Sequence, residues 1–268
     1  MSNGSMQPLA ALPSAARHGL RGVLTDIDDT LSTEGRVTAA SYAAMERLRA
    51  AGLLVIPITG RPAGWCDHIA RMWPVDAIVG ENGAVYMIHD DRARALRRRY
   101  AASAIDRNVA RVRFARIADT ILREVPGAAL ASDQPYRESD LAIDYCEDVP
   151  PLPPESIDRI VALMRDEGMT VRISSIHVNG WFGAYDKLTM TRTLLADEFG
   201  VDLERERERF VFVGDSPNDE PMFDFFPYSI GVANVRRFAH RMTVLPKYVT
   251  VREAGAGFAE LAEFLTAR

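Results

Sequence analysis

Three stretches of this chain show no alternation of polar and apolar residues: GVLTD (22–26), LLVIPITG (53–60) and RFVFVGD (209–215). A strand with one wet face alternates, whereas a strand covered on both faces is apolar throughout. The three runs therefore predict a sheet with helices packed on each side. Segments of helical length surround them. TAASYAAMERLRAAG (38–52) stops at Gly52, PAGWCDHIARMW (62–73) has proline in its first turn, and DKLTMTRTLLADEFG (186–200) stops at Gly200. VDAIVGENGA (75–84) reads as a further strand and turn, and YSIGVAN (228–234) as a late strand. Strand alternating with helix implies right-handed crossovers around a parallel sheet.

The apolar runs end in acid. Asp26, Asp28 and Asp29 follow the first, and Asp215 closes the third with Asp219 a helical turn on. Ligands of open parallel sheets sit beyond the carboxyl ends of the strands. The same rim receives Thr59 from the end of the second run and Lys187 from the start of a helix. Clustered carboxylates repel and lose water when enclosed, and a hard divalent cation offsets that cost. A lysine and a hydroxyl can hold phosphate oxygens, an aspartate can act as nucleophile, and a second can serve as general acid and then base. Each feature alone has a plainer reading, as a turn, a cap or a surface charge. Their convergence from distant parts of the chain is what points to chemistry.

Four motifs, in order, carry a family resemblance. DIDDTL (26–31) resembles the first motif of the haloacid dehalogenase (HAD) superfamily, PITGRP (57–62) the second, YDKLTM (185–190) the third and GDSPNDEPMF (214–223) the fourth. GENGA (80–84) and the closing YVTVREAGAGFAELAEFL (248–265) are similar to segments of its Cof-type members. The resemblance implies a Rossmann-like α/β core with a parallel central sheet and an inserted α+β cap of the C2B type, as in sucrose-phosphate and mannosylphosphoglycerate phosphatases. It further implies Asp26 as the nucleophile that becomes an aspartyl phosphate and Asp28 as general acid and base. Thr59, Gly60 and Lys187 would bind the phosphoryl group. Mg²⁺ would be held by Asp26, the backbone carbonyl of Asp28 and Asp215, with Asn218 and Asp219 orienting that shell. Arg61, Asn218, His177 and Asn179 are further candidates for contact with substrate.

The division that follows is a loose N-terminal tail (1–18), a core (19–85 and 186–268) and a cap (86–185). Within the cap, the proline-rich VPPLPPES (149–156) cannot be interior sheet. The arginine run DRARALRRRY (91–100) reads as a solvated basic face or an anion subsite. Trp181, with His177 and Asn179, reads as a sugar platform or hairpin packing, and Arg137 or Glu138 as a substrate contact. Asp29 is expected to be structural, its side chain pointing away from its neighbour's in an extended segment.

Bulk properties remove other classes. With net charge −5 and 26% charged residues the chain has no general affinity for nucleic acid or an anionic membrane. No apolar run is long enough to span a bilayer, and the N-terminus lacks the pattern of a secretion signal. The two cysteines, Cys66 and Cys146, have neither metal-type spacing nor a disulfide framework, which fits a reducing cytoplasm. The expected activity is Mg²⁺-dependent hydrolysis of a small phosphate ester, most simply a sugar phosphate. A phosphotransferase or mutase, or a non-enzymatic phosphate- or metal-responsive module, are the alternatives. Oligomeric state is not legible.

Overall fold

The computed structural model describes residues 6–267. In chain order the first part comprises β1 (Gln7–Pro8), α1 (Ser14–Gly19), β2 (Gly22–Thr25), α2 (Ala39–Ala50), β3 (Leu54–Pro57), α3 (Ala63–Met72) and β4 (Ile78–Gly80). A hairpin follows, β5 (Val85–Asp90) and β6 (Ala95–Tyr100). Next come α4 (Ala104–Glu124), β7 (Ala129–Leu130), β8 (Leu141–Asp144), α5 (Pro154–Asp166), β9 (Thr170–Ile173) and β10 (His177–Trp181). The last part is α6 (Lys187–Phe199), α7 (Leu203–Glu206), β11 (Phe210–Gly214), α8 (Glu220–Phe225), β12 (Ser229–Gly231), β13 (Tyr248–Val249) and α9 (Ala254–Thr266).

The central sheet has the order β1-β13-β12-β11-β2-β3, with every neighbouring pair parallel. Its inner strands are apolar throughout because both faces are covered. Val23, Val55, Val211 and Val213 pack on one side with α2, α3 and α9, while Leu24, Ile56, Phe210 and Phe212 pack on the other with α6, α7 and α8. Thr38 starts α2 by accepting the Ser41 amide, and Gly200 ends α6 in the left-handed conformation.

The cap sheet has the order β7-β8-β10-β9 and is antiparallel. Ile143, Val171 and Val178 face α4 and α5 and form a separate apolar cluster with them. The other face, carrying Asp144, His177 and Asn179, is turned toward the core. Pro154 of the proline-rich stretch opens α5, where its missing N–H costs nothing.

Two expected boundaries move. Residues 7–18 are not a loose tail: β1 pairs with β13, and Leu9 and Leu12 are buried in the core cluster. Short apolar residues spaced by proline and alanine hid this contribution. Residues 1–5 of that tail lie outside the described residues. The hairpin β5–β6 also goes with the core. β5 pairs with β4, Val85 and Met87 pack against α3, and Tyr86 joins the opposite layer. Charge concealed β6, whose Arg97 pairs with Asp90 and Glu198 and whose Arg99 pairs with Asp197. Arg97 and Arg99 of the basic run are thus ion-paired against α6. The inserted unit begins near α4.

Candidate active site

Asp26 lies one residue beyond β2, and its amide donates to the Val213 carbonyl at 2.9 Å, which fixes it beside the end of β11. Asp215 follows that neighbouring strand directly. Asp219 sits in the turn after it, where one carboxylate oxygen accepts the Asp215 amide at 3.1 Å. Gly214 makes this approach possible, since a Cβ there would lie 2.2 Å from that oxygen. Lys187 is the first residue of α6, a start fixed by the Asp186 cap on Thr189. Its Nζ donates to Asp26 at 2.7 Å and to Asp219 at 2.8 Å.

Asp26, Asp215 and Asp219 form a buried group whose carboxylate oxygens lie within 4.8 Å of one another. Burial, followed by the charges of Asp26 and Asp219, pushes Asp215 well above the usual carboxylate range. Burial likewise pushes Asp26 up to about 8, opposed by Lys187 and reinforced by Asp219 and Asp28. Burial works against the Lys187 charge, yet Asp219 and Asp26 outweigh it and raise its pKa. If all three were ionised, the carboxylates would outweigh the one ammonium by two charges, and burial together with this excess raises Asp26 and Asp215. That balance and the all-oxygen donors suit Mg²⁺. Asp26 and Asp215 are the carboxylates able to turn to it, because Asp219 is committed to Lys187 and to the turn amides.

The remaining expected residues divide. Thr59 is buried at the end of β3, next to β2, and its hydroxyl oxygen accepts the Arg61 amide at 3.0 Å, leaving its own proton to donate. Arg61 grips both carboxylate oxygens of Asp28 and also reaches Glu147 of the cap at 2.6 Å. The carbonyl of Gly60 accepts from Arg137 at 2.9 Å. His177 lies 2.9 Å from Glu147, and Asn179 donates to Asp140 at 3.0 Å. A cavity of about 10 Å³ is lined by Asp26, Asp28, Gly60, Arg61, His177 and Asn179, so core and cap meet there with room for about one water. Asn218 is not brought to that lining, and its side-chain oxygen accepts the Ser216 hydroxyl instead.

Trp181 is fully buried, stacks on Tyr185 and donates to its carbonyl, so hairpin packing accounts for it. Asp29 is not in an extended segment as expected; it occupies a left-handed turn with φ 53°. Burial raises the thiol pKa of Cys66 far above its ordinary value, which suits an inert core thiol.

Several residues escaped sequence reasoning. Asn234 donates to Asp215 at 3.1 Å and to the Asp29 carbonyl at 2.9 Å, and it follows β12, the next strand end along the rim. The strand-end rule could have found it. Glu81 had no such signal. Its carboxylate accepts amides from Ala63 in the core and from Glu138 and Ser139 in the cap. Burial, then Asp140, pushes it up to about 7 against those N–H groups. Glu147 is the reverse case: burial raises it, but His177 and Arg61 prevail and hold it down at about 2.

Residues 23–110 match the model of the haloacid dehalogenase-like hydrolases. The fold is similar to that of Thermoplasma acidophilum 0175, at 16% identity with TM-score 0.65, covering 92% of this chain and 98% of that one. It is similar to the C-terminal domain of C. albicans trehalose-6-phosphate phosphatase, at 13% identity and TM-score 0.73, covering 98% and 99%. It is also similar to the Synechocystis sucrose-phosphatase in complex with sucrose and phosphate, at 15% identity and TM-score 0.61, covering 92% and 98%. No curated protein matches the chain. The segment similar to the haloacid dehalogenase-like hydrolases carries the Asp26 and Thr59 loops, and the rest of the chain shares its fold with these solved structures.

Proposed function

We propose that this protein is a Mg²⁺-dependent phosphatase of a small phosphorylated metabolite, with a sugar phosphate as the simplest substrate. The observation that carries the reading is the buried Lys187 ammonium held between Asp26 and Asp219, with Asp215 in the same cluster. Two structural neighbours are named as phosphatases of phosphorylated sugars, which supports the class.

Asp26 attacks phosphorus through one carboxylate oxygen, and the bond from phosphorus to the leaving oxygen breaks. Asp28, once one of its oxygens has exchanged its bond from Arg61 for a proton from solvent, gives that proton to the leaving oxygen. In the second half Asp28 takes a proton from water, the water oxygen bonds to phosphorus, and the Asp26 oxygen departs with its electron pair. Lys187 and Thr59 hold the phosphoryl oxygens, and Arg61 fixes the direction of the Asp28 carboxylate. Asp26, the Asp28 carbonyl and Asp215 would hold Mg²⁺, with Asn234 steadying Asp215. When bound, the cation supplies positive charge that favours the ionised carboxylates and draws charge from the phosphoryl group. The small closed cavity excludes bulk water, so the cap must lift to admit an ester. No helix among the described residues is long and apolar enough to cross a membrane. Two free cysteines fit the cytoplasmic setting that belongs to this reading.

The test is phosphate release from a panel of phosphorylated metabolites with and without Mg²⁺. Wild type should release phosphate only with the metal, and Asp26→Asn should lose roughly three or more orders of magnitude. A phosphotransferase would instead consume the ester without releasing phosphate in step.

A further inference from the structure

Asp28 and Arg61 line three cavities at once. One is the closed space that contains Asp26. A second, of about 330 Å³, lies between the loop after β2, helix α3 and the cap, and is walled by Ile27, Val37, Trp65, Ile69, Trp73 and Tyr136. Two of these rings are left in the open: Trp65 is 40% exposed and Tyr136 57%. The Arg61 guanidinium carbon stands 4.7 Å from the Trp65 ring centroid, so the aromatic wall reaches the ion pair itself. The wall is assembled from both domains. Gly64 on α3 has no side chain, and a Cβ there would come within 3.0 Å of the Tyr136 Cβ, so the cap's tyrosine comes down onto the core helix at that point.

On its other side the same ion pair borders a larger groove of about 650 Å³. Beyond the mutually engaged Asp28, Arg61 and Glu147, its charged lining is Asp29, Glu34 and Asp148 against Arg36. An anionic group leaving past Asp28 would meet these carboxylates. An uncharged one with a flat apolar face would meet aromatic rings and aliphatic side chains, the usual lining of a small-molecule pocket.

We propose that the cavity walled by Trp65, Trp73 and Tyr136 is the leaving-group subsite, and that it selects phosphate esters of uncharged, ring-bearing alcohols. The inference rests on the phosphatase reading, because Asp28 as proton donor brings the leaving oxygen to the ion pair that this wall adjoins. Trp65 and Tyr136 set specificity; they do not take part in bond making.

The experiment compares kcat/KM for three esters with Mg²⁺: phenyl phosphate (ring, uncharged alcohol), glycerol 2-phosphate (no ring, uncharged) and phosphoglycolate (anionic leaving group). It uses the full chain as wild type, Trp65→Ala and Tyr136→Ala, two variants whose partly exposed rings can be removed without opening the buried core. Wild type should favour phenyl phosphate over phosphoglycolate. In each variant the ratio of phenyl phosphate to glycerol 2-phosphate should fall about tenfold, a ratio that cancels the different reactivities of the esters. If phosphate release persists but both variants keep the wild-type ratio, or phosphoglycolate is the preferred ester, the subsite assignment is overturned and the phosphatase reading stands. If wild type releases phosphate from none of these esters or of the metabolite panel, both fall.

Discussion

At the scale of single residues, the site is an arrangement of buried like charges that a fold tolerates only with compensation. Asp26 makes this measurable. Its proton leaves at about 8 in the folded chain and at 3.8 in the reference state. The folded state therefore binds that proton more tightly. The contribution is fully present below 3.8 and is lost as pH rises through about 8. The metal-free protein should melt at a lower temperature at about pH 8.5 than at about pH 6, and Asp26→Asn should weaken that dependence, with Asp215 keeping a share of it. Added Mg²⁺ should raise the melting temperature more at the higher pH, where the carboxylates are ionised. Asp215→Asn keeps the shape of the proposed Mg²⁺ ligand while removing its charge, and calorimetric titration should give an affinity lower by at least about 10-fold, with activity lost in parallel. These residues were legible in the sequence because each stands immediately after an apolar run or at a helix start. Arg61 was legible as a neighbour of Thr59 but not as the partner of Asp28, since that pairing depends on how two loops cross.

At the scale of elements, what could be read depended on periodicity. The inner strands, with α2, α3 and α6, declared themselves through unbroken apolar runs and capping residues. β6 did not, because three consecutive arginines look like surface until Asp90, Asp197 and Glu198 are placed beside them. The joint between core and cap was equally hidden. Glu81 lies more than fifty residues before the Glu138 and Ser139 amides it accepts, and nothing local announces the pairing. These bonds should protect the Glu138 and Ser139 amides from hydrogen exchange. The Glu138 amide uses one oxygen and the Ser139 amide the other, so Glu81→Gln turns an NH₂ toward one of them, and that amide should exchange faster while amides of β2 and β11 keep their wild-type rates. Equal acceleration everywhere would mean that Glu81 supports the fold as a whole rather than the joint.

At the scale of the whole molecule, two separately packed units close over the carboxyl rim of one sheet. The cap's helices and half of its sheet form their own apolar cluster, while its polar face covers Asp26. Turnover then requires the two units to part and meet again. A crosslink tests this directly. A Cβ on Gly64 would stand 3.0 Å from that of Tyr136, close to the separation of about 3.5–4.5 Å that a disulfide spans. The double variant Gly64→Cys, Tyr136→Cys should lose turnover when oxidised and regain it on reduction. Activity unchanged by oxidation, with the bond verified by mass, would show that the ester reaches Asp26 without the cap lifting.

The central claim is that Asp26 carries the phosphoryl group during turnover. Acid-quenching the wild-type enzyme while it hydrolyses a radiolabelled phosphate ester, then mapping the labelled peptides at low pH, tests it most directly. The account predicts label on the peptide containing Asp26, released by mild base as an acyl phosphate and absent from Asp26→Asn. Label on Ser216 or His177, or turnover with no labelled protein at any quench time, would contradict it.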